Sequence, residues 1–215
     1  MFVTFEGIEG SGKTTQIRRL RKDLKERGLS CLVTREPGGT AIGKQIRTIL
    51  LDQRNKSIQP KTELFLYLAD RCQHVAEKIQ PALNRGDWVI CDRFWDATLV
   101  YQGWARGLNL KTLEKLRPLV LNSLFPDLTF LLDCPVAIGL PRAWKRIQRS
   151  AQSLRESRFE EEALDFHEKI RQGYLFLARR EPQRFRVLDA NHSPEKIHQE
   201  IQRHLFRKDP GAHVF

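Results

Sequence analysis

The sequence predicts an α/β fold, a three-layer sandwich in which a parallel five-stranded sheet is flanked by helices. Three observations carry it. Short apolar runs rich in β-branched residues alternate along the chain with longer segments of helical period. Glycine and proline breakers fall at the ends of those segments. A glycine-rich run, Gly7 to Thr14, joins the first apolar run to the first helical one. A content of 40% hydrophobic and 29% charged residues over 215 positions describes a globular chain rather than a disordered or fibrous one.

In chain order, the strands are expected at Phe2 to Phe5, Ser30 to Thr34, Trp88 to Cys91, Leu128 to Leu132 and Arg186 to Leu188. Helices are expected over Lys13 to Arg27, Ile42 to Leu51, Lys61 to Asn84, Leu110 to Leu124, Phe159 to Arg179 and Pro194 to Phe206. The first helix sets an apolar face of Ile17, Leu20 and Leu24 against a solvated face of Arg18, Arg19, Arg21, Lys22, Lys25 and Arg27. Gly28 closes that helix and Gly86 the third, while Ser193-Pro194 offers a cap and a first-turn proline to the last. These elements predict one domain over residues 1–206, followed by a loose tail over 207–215.

Bulk properties narrow the function. No apolar run approaches the length that spans a bilayer, and the N-terminus lacks a basic segment leading into one, so a cytoplasmic location without a membrane partner is expected. Cys31, Cys72, Cys91 and Cys134 lie far apart, with neither metal-ligand spacing nor a disulfide framework. Cys91 and Cys134 read as small core residues. A net charge of +11 calls for anionic partners, and nucleic acid, anionic membrane and phosphorylated small molecules all satisfy it. The basic stretch Arg142, Lys145, Arg146, Arg149, Arg155 and Arg158 has no aromatic interleaving beyond Trp144, which favours phosphorylated substrates over nucleic acid.

Gly7-Ile8-Glu9-Gly10-Ser11-Gly12-Lys13-Thr14 fits G-x-x-x-x-G-K-[ST] between a predicted strand and a predicted helix, the context that makes this motif specific. Its backbone N–H groups and the positive helix end can surround phosphate oxygens; Lys13 reaches the β and γ phosphates, and the Thr14 hydroxyl is offered to Mg²⁺. ATP with Mg²⁺ is therefore the expected donor. Asp92 and Arg93 follow the run Trp88 to Cys91 and so stand at the carboxyl end of a buried strand, where open α/β sheets place ligands. A strand-capping salt bridge accounts for the pair, as does an acceptor phosphate forked by Arg93 with Asp92 near the metal, directly or through water. On residues alone, Arg35 to Thr40 suits a bland turn as well as a substrate loop, and Arg47 reads as a solvated helix residue.

The P-loop, Thr34-Arg35-Glu36-Pro37-Gly38-Gly39-Thr40, Cys91-Asp92-Arg93-Phe94, Tyr101-Gln102-Gly103, Phe125-Pro126-Asp127-Leu128 and Phe166-His167-Glu168 with Gly173-Tyr174 follow one another in this order. As an ordered set over roughly residues 1–206 they resemble the thymidylate kinase family of P-loop nucleoside monophosphate kinases. The resemblance implies ATP-dependent phosphorylation of dTMP to dTDP, towards dTTP synthesis, by a homodimer. It implies that Arg93 and Arg47 hold the acceptor phosphate and that Glu9 contacts the acceptor near its 3′-hydroxyl. It further implies that Glu36 lies in an acceptor loop, that Tyr67 stacks on thymine where the family usually has phenylalanine, and that Arg71 bonds a base carbonyl. Thr98, Tyr101 and Gln102 fall against the base and deoxyribose, with Tyr101 excluding a 2′-hydroxyl. Residues 142–158 correspond to a mobile basic lid whose Arg146 and Arg158 stabilise the transition state. There Ser157-Arg158 stands where the family often has Asp-Arg, so either Ser157 accepts a bond from Arg158 or that arginine is less well held. His167 is expected to be a packed residue. A nucleic-acid-stimulated P-loop motor, a catalytically weak binding relative, and a kinase for another monophosphate such as dUMP are the competing readings.

Overall fold

The computed structural model describes residues 1–149 and 154–206. Five parallel strands form one sheet in the order β2-β3-β1-β4-β5: β1 (Phe2–Glu6), β2 (Cys31–Arg35), β3 (Trp88–Asp92), β4 (Leu128–Asp133) and β5 (Phe185–Asp189). Parallel strands need crossovers, and helices supply them: α1 (Lys13–Glu26), α2 (Ala41–Leu51), α3 (Pro60–His74), α4 (Gln80–Asn84), α5 (Trp95–Thr98), α6 (Leu110–Leu121), α7 (Val136–Ile147), α8 (Leu164–Arg180) and α9 (Pro194–Phe206). β1 lies between β3 and β4, pairing Phe5 with Asp92 on one side and with Phe130 on the other. The central strands are buried on both faces, as their unbroken apolar runs require.

The core is continuous across the sheet. Phe5 and Phe130 meet at 5.3 Å between ring centroids, and Ile17, Leu20 and Leu24 of α1 are buried, the stripe read from the sequence. Cys91 and Cys134 are buried as expected. Gly28 and Gly86 adopt left-handed φ of 70° and 81° after their helices, and Ser193 Oγ accepts from Lys196 N at 3.2 Å to cap α9.

Three departures from the expected elements bear on function. Trp95 to Ala105 is helical, α5 running into a π-helical stretch Leu99–Ala105; it is buried from Leu99 to Gly103, so it lacks the polar face that marks a helix in sequence. α7 runs through Gly139 and Pro141, which read as breakers. Gly139 is where the P-loop presses on this helix: a Cβ built on Gly10, whose φ is 73°, would stand 1.9 Å from Gly139 O. Phe159, expected to open the helix of α8, precedes it in a turn. Residues 150–153 of the expected lid and the tail 207–215 lie outside the described residues.

Candidate active site

The carboxyl ends of β1, β2 and β3 open on one cavity of about 870 Å³. Gly10 to Thr14 form one wall; Arg35, Glu36, Asp92 and Arg93 rise from the strand ends; Arg47, Tyr67, Arg71, Thr98, Tyr101 and Gln102 complete the other side. Every residue expected at the acceptor lines this space, and so does Glu9. Gly7 and Ile8 do not; they stand behind the loop, where their carbonyls each accept from Lys13 Nζ at 2.9 Å. Burial and the Arg93 charge lower Lys13 to about 8, against the opposing pull of Asp92, Glu9 and Glu6.

Arg93 takes a left-handed φ of 71°, a costly conformation for a residue with a Cβ. Its Nη2 donates to Glu9 Oε1 at 2.9 Å and its Nη1 to the Tyr174 hydroxyl at 3.1 Å, with the guanidinium 4.9 Å from the Tyr101 ring centre. Glu9 Oε1 also accepts from the Tyr101 hydroxyl at 2.6 Å, and its Oε2 lies 3.5 Å from His167 Nδ1. Burial by itself would raise the Glu9 carboxyl; Arg93, His167, Lys13 and Tyr101 together outweigh it and hold the group far below the carboxylate range. His167 is a packed residue, as expected, and the surface it packs on is Glu9.

Arg71 is fully buried. Its Nε donates to Glu36 Oε2 at 2.6 Å, Nη1 to Thr98 Oγ1 at 2.6 Å and Nη2 to Phe94 O at 2.9 Å, while Glu36 Oε1 sits 2.8 Å from His74 Nδ1. Each terminal nitrogen thus keeps a second N–H. Glu36 and Thr98 therefore hold Arg71. Arg47 donates to Glu156 Oε2 at 2.9 Å and to Pro37 O at 3.2 Å. Phe159 meets Tyr101 edge-on at 5.5 Å and Tyr67 at 6.5 Å, closing an aromatic wall that the sequence reading lacked.

The arginines expected in the lid part company. Arg146, on α7, lines the cavity, is 59% exposed and has Glu160 Oε1 3.6 Å away. Burial, then the charge of Glu9, raises Glu160 to about 7. Arg158 is not brought to the cavity. It is buried at 4% exposure, donating to Glu63 Oε2 at 2.7 Å and to Leu50 O, and lying 4.4 Å over the Phe159 ring. Ser157 Oγ donates to Leu154 O at 2.8 Å, so neither expected alternative describes Arg158: the acid that holds it is Glu63 of α3. Glu63 Oε1 also accepts from Gln102 Nε2 at 2.9 Å. The described ends of the basic stretch are thereby fastened, one as helix and the other against the turn that follows α2, where Gln53 N donates to Arg155 O at 2.9 Å.

Hard oxygen donors suit Mg²⁺, which takes one or two protein ligands beside phosphate oxygens and water. Thr14 and Asp92 both line the cavity beside the Lys13 ammonium, so the donor set fits the ion.

A central parallel strand that ends in a phosphate loop, with arginines from the neighbouring strand and helices facing that loop across one cavity, defines a P-loop phosphotransferase. Comparison with known proteins narrows the class. A thymidylate kinase family profile matches residues 5–201. The chain is 55% identical over 190 residues to a thymidylate kinase of Desulfosudis oleivorans, covering 88% of this chain and 89% of that one. It is 56% identical over 194 residues to one from Geobacter sulfurreducens, covering 90% and 91%. A crystal structure of thymidylate kinase from Ehrlichia chaffeensis superposes with a TM-score of 0.75 at 31% identity, covering 95% of this chain and 98% of that one. The chain belongs to the thymidylate kinase family, kinases that use ATP to phosphorylate dTMP to dTDP.

Proposed function

We propose that this cavity carries out that transfer directly between its two walls, with the P-loop holding the ATP phosphates and Arg93 and Arg47 presenting the dTMP phosphate in line. The supporting observation is that the Gly10 to Thr14 loop and both arginines line the same cavity. A phosphate monoester oxygen is already anionic near neutral pH, so no general base is needed; alignment and charge stabilisation supply the acceleration. The Lys13 ammonium neutralises the β and γ phosphates. Arg71, held by Glu36 and Thr98, offers a free N–H to a thymine carbonyl, and Tyr67 with Phe159 receives the ring. Tyr101, tied to Glu9, fills the space a ribose 2′-hydroxyl would need. Mg²⁺, held by Thr14 and Asp92 directly or through water, would supply electrostatic shielding between the phosphates.

A homodimer is the assembly that the family resemblance implies; Ile42, Ile49, Phe65 and Leu119 stand exposed on α2, α3 and α6. Among the described residues no helix is long and apolar enough to cross a membrane. ADP release with ATP and Mg²⁺ against a panel of nucleoside monophosphates tests the function. The expected order is dTMP first, dUMP weaker and the ribose analogue poorest; a flat response across the panel overturns the acceptor assignment.

The two basic-stretch arginines should separate by phenotype. Arg146→Ala is expected to lower kcat by about tenfold while leaving the urea midpoint unchanged, because its side chain is exposed beside the phosphate wall. Arg158→Ala removes one member of a buried ion pair and should cost about 3 kcal/mol of stability, with the remaining contacts of Glu63 to Gln102 and Arg106 limiting the loss. Urea titrations and saturating-substrate rates on both variants check the contrast, and equal destabilisation of the two would remove it.

A further inference from the structure

We infer that Glu6 is a positioning residue for the transfer, setting both the backbone and the guanidinium of Arg93 from the strand that carries the P-loop. Glu6 ends β1, directly before Gly7, and is fully buried. Its Oε1 accepts from Phe94 N at 2.8 Å, the peptide that follows Arg93. Its Oε2 accepts from the Tyr174 hydroxyl at 2.7 Å, and that oxygen accepts in turn from Arg93 Nη1 at 3.1 Å. One carboxylate therefore bonds the main chain just past Arg93 and reaches its side chain through a single hydroxyl. The neighbouring strand residue completes the hold, since Phe5 O accepts from Arg93 N at 3.0 Å.

Two features argue for positioning rather than simple satisfaction of a buried amide. A left-handed arginine persists only where its surroundings over-determine it, and the Phe94 N–H is fixed at the residue where the chain must leave that conformation. A single N–H could be satisfied by a neutral oxygen, whereas Glu6 meets two donors with two acceptor oxygens, an arrangement only the ionised carboxylate provides. Glu6 pays for this in desolvation: burial, and then Asp96, raise it to about 7 against the pull of Arg93, Tyr174 and Phe94. Geometrically, the link makes the spacing between donor loop and acceptor arginine a property of one side chain.

The inference rests on Arg93 holding the acceptor phosphate, so Arg93→Ala is measured beside Tyr174→Phe, Glu6→Gln and the double variant, varying dTMP at saturating ATP and the reverse. Tyr174→Phe deletes only the oxygen between Glu6 and Arg93; it should lower kcat/KM for dTMP by about tenfold, the scale of one charge-assisted hydrogen bond, with KM for ATP within about twofold. Glu6→Gln keeps an acceptor for Phe94 N but turns a donor towards Tyr174, and should give a similar loss. Because the two act in series, the double variant should fall within about twofold of Glu6→Gln. Unchanged dTMP kinetics in folded Tyr174→Phe, or equal losses at both substrates, overturns the inference, and Tyr174→Phe decides alone if Glu6→Gln does not fold. If Arg93→Ala itself spares dTMP, the assignment of Arg93 fails and this inference falls with it; if only Arg93→Ala is impaired, the inference alone fails.

Discussion

Lys13→Ala is expected to lower kcat by about 10³-fold or more, the loss seen when a preorganised charge is removed from a developing anion in a closed site. Two of the three Nζ protons are spent on Gly7 O and Ile8 O, which fixes the ammonium within the loop and leaves one N–H for a phosphate oxygen. The fold should survive, because a buried charge is removed together with its own desolvation cost, and thermal unfolding of the variant should track the parent. Turnover near the parent level in a folded variant would sink the assignment of the loop. The same burial gives a pH signature. Lys13 is lowered to about 8 in the free protein, so it carries its charge below that pH and loses it above. Bound triphosphate favours the charged form, so binding takes up a proton on the alkaline side. kcat/KM for ATP should therefore decline as pH rises through about 8, while kcat at saturating ATP declines later.

The sheet and the phosphate loop were legible because local chemistry determines them: β-branched runs announce strands buried on both faces, and a glycine-rich turn before a helix leaves few alternatives. Asp92 and Arg93 were legible by position, at the end of such a run. α7 was not, because Gly139 and Pro141 look like breakers; a residue without a Cβ belongs at 139 because a Cβ there would stand 2.7 Å from both Glu9 O and Ile8 Cδ1 of the P-loop. The resemblance placed Arg158 in the lid, and a basic stretch does not say which of its arginines turn inward. The partner that decides it, Glu63, is 95 residues away and reads locally as an ordinary acid in the first turn of a helix. Glu6 is illegible for the same reason, since at the end of a strand it looks like a residue about to meet solvent. Buried carboxylates that organise arginines are long-range features, as Glu6, Glu36 and Glu63 show.

Arg93→Ala should reduce kcat/KM for dTMP by about 10³-fold while moving KM for ATP little, as a forked contact to the acceptor phosphate is lost. The site is arranged so that this charge cannot be replaced by another. Arg93 bridges Glu9 and Tyr174 under the Tyr101 ring, and burial, which would lower it, is outweighed by those tyrosines and carboxylates, so the guanidinium stays charged at every working pH. Arg93→Lys should lose most of the same activity, since an ammonium reaches one partner where a planar fork reaches two. The backbone supplies an internal control. At φ 71° a side chain costs about 1 kcal/mol relative to glycine, so Arg93→Gly should be more stable than Arg93→Ala by roughly that amount while being equally inactive towards dTMP. Paired urea titrations and steady-state rates on the three variants separate strain from chemistry. If Arg93→Ala weakens ATP and dTMP equally, Arg93 serves the donor wall, and the acceptor phosphate must then be held by Arg47 alone.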